Sequence, residues 1–298
     1  MNGFLILDKP QGLTSHDVVA RARRILGTRQ IGHLGTLDPL ATGVLPLAIG
    51  MATRLVEFLE ADRKTYAAVM ELGTETATQD AEGEVVARRP VPDLGREEVE
   101  AVFAAFVGRM KQCPPMYSAV KIGGVPLYRL ARKGLEVERE ARDIDILELK
   151  ITEFALPRIV FEVQCSKGTY IRTLCQDLGR ALGSAAHMTA LRRLRSGVFT
   201  VADSVALDDL KADTPLLPLT AGIGGLPRVE VTEEAERKLC HGIPPRLAHV
   251  VGDISGLEGE GWVALMRQNR LLAVAVPDFG HVRETRGDFK LKKVFAGT

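Results

Sequence analysis

Several features that mark specialised protein classes are missing from this sequence of 298 residues. The apolar run at residues 4–7 is much shorter than the core of a signal peptide or the ~20 residues that cross a membrane. The four cysteines include no Cys-x-x-Cys pair and no histidine at zinc-ligand spacing. We therefore expect buried thiols in a cytoplasmic protein, with no membrane contact and no metal site.

The sequence also lacks the glycine patterns of common phosphate-binding loops, since it contains neither G-x-G-x-x-G nor Gly-Lys-Ser/Thr. Its hydrophobic share of 46% and charged share of 26% are ordinary for a globular protein. The length favours one large domain followed by a small one.

The sequence also has no marked excess of positive or negative charge, since its formal net charge is +1. The basic and acidic residues are nevertheless concentrated in different stretches of the chain. Residues 101–135 contain six basic and no acidic side chains, and residues 166–200 contain six basic side chains and one acidic side chain. Such segregation favours a polyanionic partner at one face. The alternative interpretation is that these residues lie on solvated helix faces.

The most unusual stretch that is present covers residues 32–46. It contains three glycines, two prolines, one histidine and a single carboxylate, that of Asp38. Glycine allows close backbone approach and positive φ, and proline fixes φ. The pattern predicts a constrained loop that presents Asp38, although aspartate before Pro39 is also a common turn residue.

Three distant residues are further candidates. Tyr66 lies in an alternating strand pattern, where one face is normally buried, and Asp80 lies in a polar turn region. Arg172 falls in the first turn of a predicted helix, where a cation is unfavourable to the helix dipole, so a tertiary carboxylate partner is indicated. Taken singly, Tyr66 could equally be a core aromatic and Arg172 a surface side chain.

Four runs of residues, in matching order, resemble motifs of the TruB family of tRNA pseudouridine synthases. They lie at residues 8–19, 32–43, 168–172 and 191–197, and read DKPxGxTSxDVV, GHxGTLDPLATG, GTYIR and LRRLRSG. The resemblance extends from residue 3 to about residue 210.

This resemblance implies a role for individual positions. Asp38 matches the catalytic aspartate, Tyr66 the tyrosine that stacks on the target base, and Arg172 the arginine that pairs with the aspartate. Asp80 would support that arginine, and His33 would contact flipped-out T-loop nucleotides. Further active-site positions are Lys9, Tyr170 and Leu191.

The resemblance also implies an architecture and a substrate. The fold would be α+β, with a mixed, largely antiparallel sheet flanked by helices in a catalytic domain at residues 1–222. A basic RNA-binding insertion at about residues 109–134, with Lys121 and Arg132, would grip the RNA. Residues 226–298 would form a small β-rich, PUA-like RNA-binding domain. Independently of the resemblance, the proline, glycine and leucine content of residues 215–227 makes that segment the best linker candidate.

The implied activity is conversion of the T-loop uridine, position 55, of tRNA to pseudouridine. The expected partner is the tRNA T-arm stem-loop, without a cofactor, guide RNA or protein partner, and the expected state is a monomer. An additional tRNA-folding activity is a hypothesis. Whether Asp38 attacks the ribose, attacks the ring at C6 or abstracts a proton stays open at the level of sequence.

Two other functions are compatible with the residues alone. A non-catalytic RNA-binding protein would show the same basic stretches. A nucleoside hydrolase could use Asp38 and Asp80 as a pair of carboxylates, and it would release free uracil.

The local patterns predict most of the regular elements. Alternation or apolar runs indicate strands at 4–7, 44–49, 64–72, 144–154, 158–165 and 187–196, and helical spacing indicates helices at about 14–26, 52–59, 96–107, 169–182 and 233–239. A hairpin is predicted at 263–276, turned at Gln268-Asn269. Residues 112–134 are predicted to be irregular.

Overall fold

The computed structural model describes residues 1–59, 63–253, 257, 261–279 and 287–297. In chain order the strands are β1 (Gly3–Lys9), β2 (Ile31–His33), β3 (Thr42–Ile49), β4 (Arg63–Leu72), β5 (Thr74–Thr76), β6 (Val85–Arg88), β7 (Gly108–Gln112), β8 (Lys121–Ile122), β9 (Val125–Pro126), β10 (Arg142–Ala155), β11 (Arg158–Ser166), β12 (Ala186–Ser196), β13 (Phe199–Thr200), β14 (Val205–Ala206), β15 (Arg228–Val231), β16 (Val250–Val251), β17 (Val263–Arg267), β18 (Arg270–Pro277) and β19 (Phe289–Val294). The helices are α1 (Ser15–Ile25), α2 (Arg96–Ala105), α3 (Leu127–Ala131), α4 (Ile171–Ala181), α5 (Leu219–Gly222) and α6 (Glu233–Cys240).

A large mixed sheet forms the centre of the protein. Its strand order is β14-β1-β3-β12-β4-β11-β10-β7, with β2 beside β3 and β13 beside β12. The pairs β1–β14 and β3–β12 are parallel, and the other described pairs of this sheet are antiparallel. The predicted α+β class with a mixed, largely antiparallel sheet is therefore confirmed.

Two helices begin at residues whose side chains cap them, α1 at Thr14 and α6 at Thr232. Thr14 caps α1, and its side chain and that of Asp17 accept each other's backbone N–H groups. Apolar positions of α1 and α4, including Val18, Val19, Leu174 and Leu178, pack into the same core as the inward face of the large sheet. These two helices therefore lie on one face of the sheet.

A second, five-stranded sheet has the order β16-β15-β17-β18-β19. The predicted hairpin is confirmed: β17 and β18 pair, and Gln268 and Asn269 both have positive φ, as a tight hairpin turn requires. This small sheet agrees with the β-rich C-terminal unit that the sequence predicted.

The predicted linker at 215–227 is packed into the protein. Leu217 exchanges two backbone hydrogen bonds of 2.8 Å with Phe4 of β1, and Ile223 is buried. One hydrophobic core contains Phe4 and Val44 from the large sheet together with Ile223 and Val274 from the C-terminal part. The segment connects β14 of the large sheet to β15 of the small sheet, and its apolar side chains are used as core.

Other differences are local. The helix predicted at 52–59 is a 3₁₀ helix at Gly50–Leu55. The constrained loop is shorter than expected, because β2 runs to His33 and β3 starts at Thr42. The segment predicted to be irregular contains a short hairpin of β8 and β9 followed by α3. None of the described helices has the length and apolarity needed to cross a membrane.

Candidate active site

A cavity of about 510 Å³ lies where several separate segments of the chain meet. It is lined by residues 36–39, by the face of β4 that carries Tyr66, by the turn at 78–82, by the insertion and by the start of α4. Of the predicted site residues, the structure brings seven to this cavity: Asp38, Tyr66, Asp80, Arg132, Tyr170, Arg172 and Leu191.

Arg172 is the centre of the polar contacts in the cavity. Its Nε lies 3.0 Å from Oδ2 of Asp38, and its Nη1 lies 3.3 Å from Oδ2 of Asp80. The same guanidinium donates to the carbonyl oxygens of Thr78 at 2.8 Å and Tyr117 at 2.9 Å. Because four acceptors surround the planar guanidinium of Arg172, its orientation toward Asp38 is fixed.

The two carboxylates that Arg172 contacts have different surroundings. The Asp80 side chain is 4% exposed, and its Oδ1 accepts from the Thr78 hydroxyl and the Glu82 backbone N–H. The Asp38 side chain is 37% exposed and faces the cavity. A molecule in the cavity can therefore reach Asp38, whereas Asp80 is engaged within the protein.

Burial and ion pairing act in opposite directions on Asp38. Burial raises the pKa of its carboxyl group above the ordinary aspartate value, the Arg172 guanidinium opposes that rise, and the neighbouring Asp80 adds to it. The result is a carboxylate whose charge depends on the arginine beside it.

The aromatic and apolar walls of the cavity come from the sheet and from α4. Tyr66 on β4 is 7% exposed and Leu191 on β12 is 8% exposed, and both border the cavity. Tyr170 stands at the N-cap of α4, and its backbone N–H and C=O both pair with the side-chain amide of Gln112, at 2.8 and 3.0 Å. Gln112 thus fixes the position where α4 begins, a role that its sequence position did not reveal.

Residues 34–41, which we call the Asp38 loop, are held by buried side chains from other elements. Ser15, the first residue of α1, donates its hydroxyl to the Leu37 carbonyl and accepts from the Leu37 N–H, at 3.0 and 2.8 Å. Arg193 on β12 is fully buried and donates to the carbonyls of Val44 and Gly35 at 2.6 and 3.1 Å. Asp38 therefore extends from a backbone that is anchored on both sides.

Lys9 lies beneath the Asp38 loop and is absent from the cavity wall, contrary to what an active-site position suggests. It is fully buried, and its ammonium donates to the carbonyls of Leu13 at 2.6 Å, Pro10 at 2.9 Å and Pro39 at 3.3 Å. Burial lowers the pKa of Lys9 to about 8, while the nearby charge of Asp38 acts in the opposite direction. Its contacts connect the turn after β1 to the residue that follows Asp38.

Two other predicted residues also lie away from the cavity wall. His33 ends β2, with its ring edge-on to His16 at a centroid distance of 6.0 Å, and its buried Nδ1 has no hydrogen-bond partner among the described residues. Lys121 is exposed on β8. Arg132 borders the cavity and lies over the Tyr128 ring at 5.6 Å.

The basic stretch at 166–200 presents less free charge than its composition suggests. Arg172 and Arg193 are buried, Arg180 pairs with Glu75, and Arg192 pairs with Asp8 at 2.6 Å. Within the described residues, no group of three or more histidine, cysteine or acidic side chains could hold a metal ion.

Comparisons with known proteins agree over almost the whole chain. Residues 23–171 match the profile described as TruB family pseudouridylate synthase, N-terminal domain, and residues 172–216 match the tRNA pseudouridylate synthase B C-terminal domain. The chain is similar to the tRNA pseudouridine synthase B of Syntrophotalea carbinolica, with 46% identity over 99% of this chain and 98% of the relative. It is also similar to that of Geobacter sulfurreducens, with 41% identity over 99% and 100%.

Among solved structures, a chain from the crystal structure of a Cbf5–Nop10–Gar1 complex is similar, with a TM-score of 0.76 and 30% identity. The similarity covers 98% of this chain and 84% of that one. A chain from an H/ACA ribonucleoprotein bound to a substrate RNA containing 2′-deoxyuridine has a TM-score of 0.73 and 27% identity, over 98% of this chain and 84% of that one.

Proposed function

Because this chain belongs to the TruB family of pseudouridylate synthases, we propose that the cavity at Asp38 isomerises the T-loop uridine, position 55, of tRNA to pseudouridine. The observation that carries this assignment is the ion pair between Asp38 and Arg172 beside Tyr66, in a cavity that solvent can reach. We assign Asp38, Tyr66 and Arg172 as the catalytic residues.

The reaction breaks the C1′–N1 bond of uridine, turns the ring and forms a bond from C1′ to C5. A proton leaves C5 and one arrives at N1, so the product has the same mass as the substrate. A base within a folded RNA loop must first leave its stack, which costs a few kcal/mol. The 510 Å³ cavity has room for such a flipped nucleotide.

The proposed role of each catalytic residue follows from its contacts. Asp38 supplies the more exposed of the two carboxylates that Arg172 contacts, and the guanidinium aims it and helps to keep it ionised. Tyr66 offers a ring face held by the sheet, and Leu191 packs at the same wall. Water must be kept from the detached base, and the buried walls serve that purpose.

The rest of the RNA is bound at the border of the cavity and beyond it. We assign Lys121 and Arg132 of the insertion to phosphate contacts, and His33 to the loop nucleotides next to the target. Lys9 and Asp80 act indirectly, through the Asp38 loop and through Arg172. The C-terminal sheet is a further RNA-binding surface. The protein acts as a monomer on the T-arm, without a guide RNA or protein partner.

The nucleoside hydrolase hypothesis is disfavoured by the contacts of Asp80, which are all satisfied within the protein. A non-catalytic RNA-binding role leaves the aimed Asp38–Arg172 pair unexplained. A tRNA-folding activity stays a hypothesis, and its test is whether a catalytically inactive variant still restores misfolded tRNA.

The decisive experiment uses a tRNA transcript with uridine or cytidine at position 55. Nuclease digestion followed by chromatography and mass spectrometry should show pseudouridine from the uridine transcript, with no mass change and no free uracil. Asp38→Asn should bind the transcript and form no product, while Asp213→Asn, an exposed control, should keep turnover. Turnover by Asp38→Asn would remove the catalytic assignment, and free uracil would indicate a hydrolase.

A further inference from the structure

The ionisable side chains that line the cavity do not all belong to one cluster. Asp38, Asp80 and Glu82 surround the guanidinium of Arg172. Lys64 also lines the cavity, but the charges that act on it come from Arg193, Lys167 and Cys165 and not from these carboxylates. The proposed function gives Lys64 no role.

Lys64 is placed in the cavity by the register of β4. It precedes Tyr66 by two residues, so both side chains leave the same face of the strand, and the two positions are about 7 Å apart along it. A Cβ atom at Gly35 would lie 3.4 Å from the Lys64 ammonium and 3.5 Å from Nη1 of Arg193. Both cations therefore approach the start of the Asp38 loop.

The Lys64 ammonium has no anionic partner. Over the part of the chain that the structure describes, it makes no hydrogen bond or ion pair, and the charges that act on it include the cations Arg193 and Lys167. Burial and these cations lower the pKa of Lys64. The neighbouring Cys165 thiol does not compensate the charge, because burial raises its pKa to about 11 and keeps it neutral.

A half-buried ammonium that lines a cavity and has no partner in the described part of the protein is available to an anion in that cavity. Each route open to Asp38 creates such an anion on the base. If Asp38 attacks C1′, or if a ribose proton is abstracted, the C1′–N1 electron pair leaves with the uracil. If Asp38 attacks C6, the electrons move to the ring oxygen at C4. In all three cases negative charge collects on the uracil ring.

We propose that Lys64 is a further catalytic residue, whose ammonium donates to the negatively charged uracil ring while that ring is detached from, or activated on, its ribose. Arg193 is a positioning residue, because its guanidinium donates to carbonyl groups at the start of the Asp38 loop. The inference rests on the proposed function, and it adds a cationic contact to the substrate base. Such a contact is stronger in the transition state than in the bound uridine, which is neutral.

The test compares Lys64→Met, Lys64→Arg and wild type in single-turnover reactions with saturating enzyme. Lys64→Met should lower the rate constant by about 100-fold, which is the usual cost of removing one donor to a developing oxyanion. Its dissociation constant for tRNA should stay within about twofold of wild type, because the contact forms mainly after binding. Lys64→Arg should recover most of the rate, since it retains a cation.

Two controls separate the alternatives. Arg63→Met removes an exposed charge from the opposite face of the same strand and should leave the rate constant unchanged. Thermal unfolding of each variant shows whether the fold is retained, and Lys64→Arg keeps the comparison valid if Lys64→Met unfolds.

Three results would overturn the inference. The first is a rate constant for Lys64→Met close to that of wild type, and the second is the same rate reduction in Lys64→Arg as in Lys64→Met. The third is normal turnover at saturation together with a salt dependence of binding weakened by about one phosphate contact, which would place Lys64 on the RNA backbone. Failure of the proposed function itself would look different, since wild type would then form no pseudouridine.

Discussion

The Asp38 loop and the insertion both border the active-site cavity, yet they are stabilised in opposite ways. The Asp38 loop has little regular structure, but buried side chains of Ser15, Lys9 and Arg193 bind its backbone. The insertion, residues 109–134, has a hairpin and a helix, but within residues 121–134 only Leu127 is buried. The difference fits the two proposed roles, which are to hold the Asp38 carboxylate in a fixed position and to contact the surface of an RNA.

Arg172 connects the two regions, since its guanidinium contacts Asp38 in the loop and the Tyr117 carbonyl in the insertion. We expect Arg172→Met to give the largest effect, a rate reduction of at least about 100-fold, because the cation that aims the carboxylate is removed. Single-turnover pseudouridine formation measures this effect.

The same variant should change the pH profile. A nearby cation lowers a carboxyl pKa by about 1–3 units, so its removal should raise the Asp38 pKa and move the acidic limb of the rate to higher pH. Arg180→Met, which removes the Glu75 partner on the same helix, should leave that limb in place. An unshifted limb in Arg172→Met would mean that the limb does not report Asp38.

The anchoring of the Asp38 loop is tested by Arg193→Met. This change removes the hydrogen bonds that a buried cation donates to two carbonyl groups. Because each buried acceptor left unpaired costs about 1–3 kcal/mol, the free energy of unfolding should fall by about 3 kcal/mol or more. Urea unfolding provides the measurement. Arg192→Met, the adjacent residue in a partly exposed pair with Asp8, should cost under about 1 kcal/mol. Equal reductions would show that the loop does not depend on its buried arginine.

A pair of glycine substitutions compares the insertion with β3 immediately after the Asp38 loop. Gly43 has φ +99°, and a Cβ there would lie 2.2 Å from the Arg193 carbonyl oxygen, whereas Gly124 has φ +82° with open space around it. Gly124→Ala should cost only the backbone strain of about 1–2 kcal/mol. Gly43→Ala should cost clearly more, because β3 and β12 must separate at that point. Similar unfolding free energies for both variants would contradict the close approach.

The smallest effect is expected from the insertion. Replacing Lys121 and Arg132 together by alanine should weaken tRNA affinity, and each phosphate that is no longer neutralised should reduce the slope of log K against log salt by about 0.7–0.9. Binding titrations at several salt concentrations measure it, with Lys150→Ala, an exposed lysine of β10, as control. An unchanged slope would remove the insertion from the RNA interface.

Much of the fold could be predicted because strand alternation and helix caps are local signals. The ion pair of Arg172 was indicated by its unfavourable place in the first turn of α4. Asp38 lies within one of the matching motifs, and Tyr66 was indicated by its alternating strand together with the family resemblance. The structural role of Arg193 was not predicted, because a basic residue within a run of arginines has the pattern of a solvated surface. Gln112 was hidden because its partner is the backbone of Tyr170, which is 58 positions away in the chain.

The packing of β1 against the C-terminal sheet has a consequence for how the protein can be divided. Phe4 and Val44 share one core with Ile223 and Val274, so cutting the chain near residue 226 would leave a catalytic fragment with a large bare apolar face. The terminal sheet is therefore not a detachable accessory. It completes the hydrophobic interior behind β1 and β3, so a truncated chain would lose part of the core of the large sheet as well as the terminal strands.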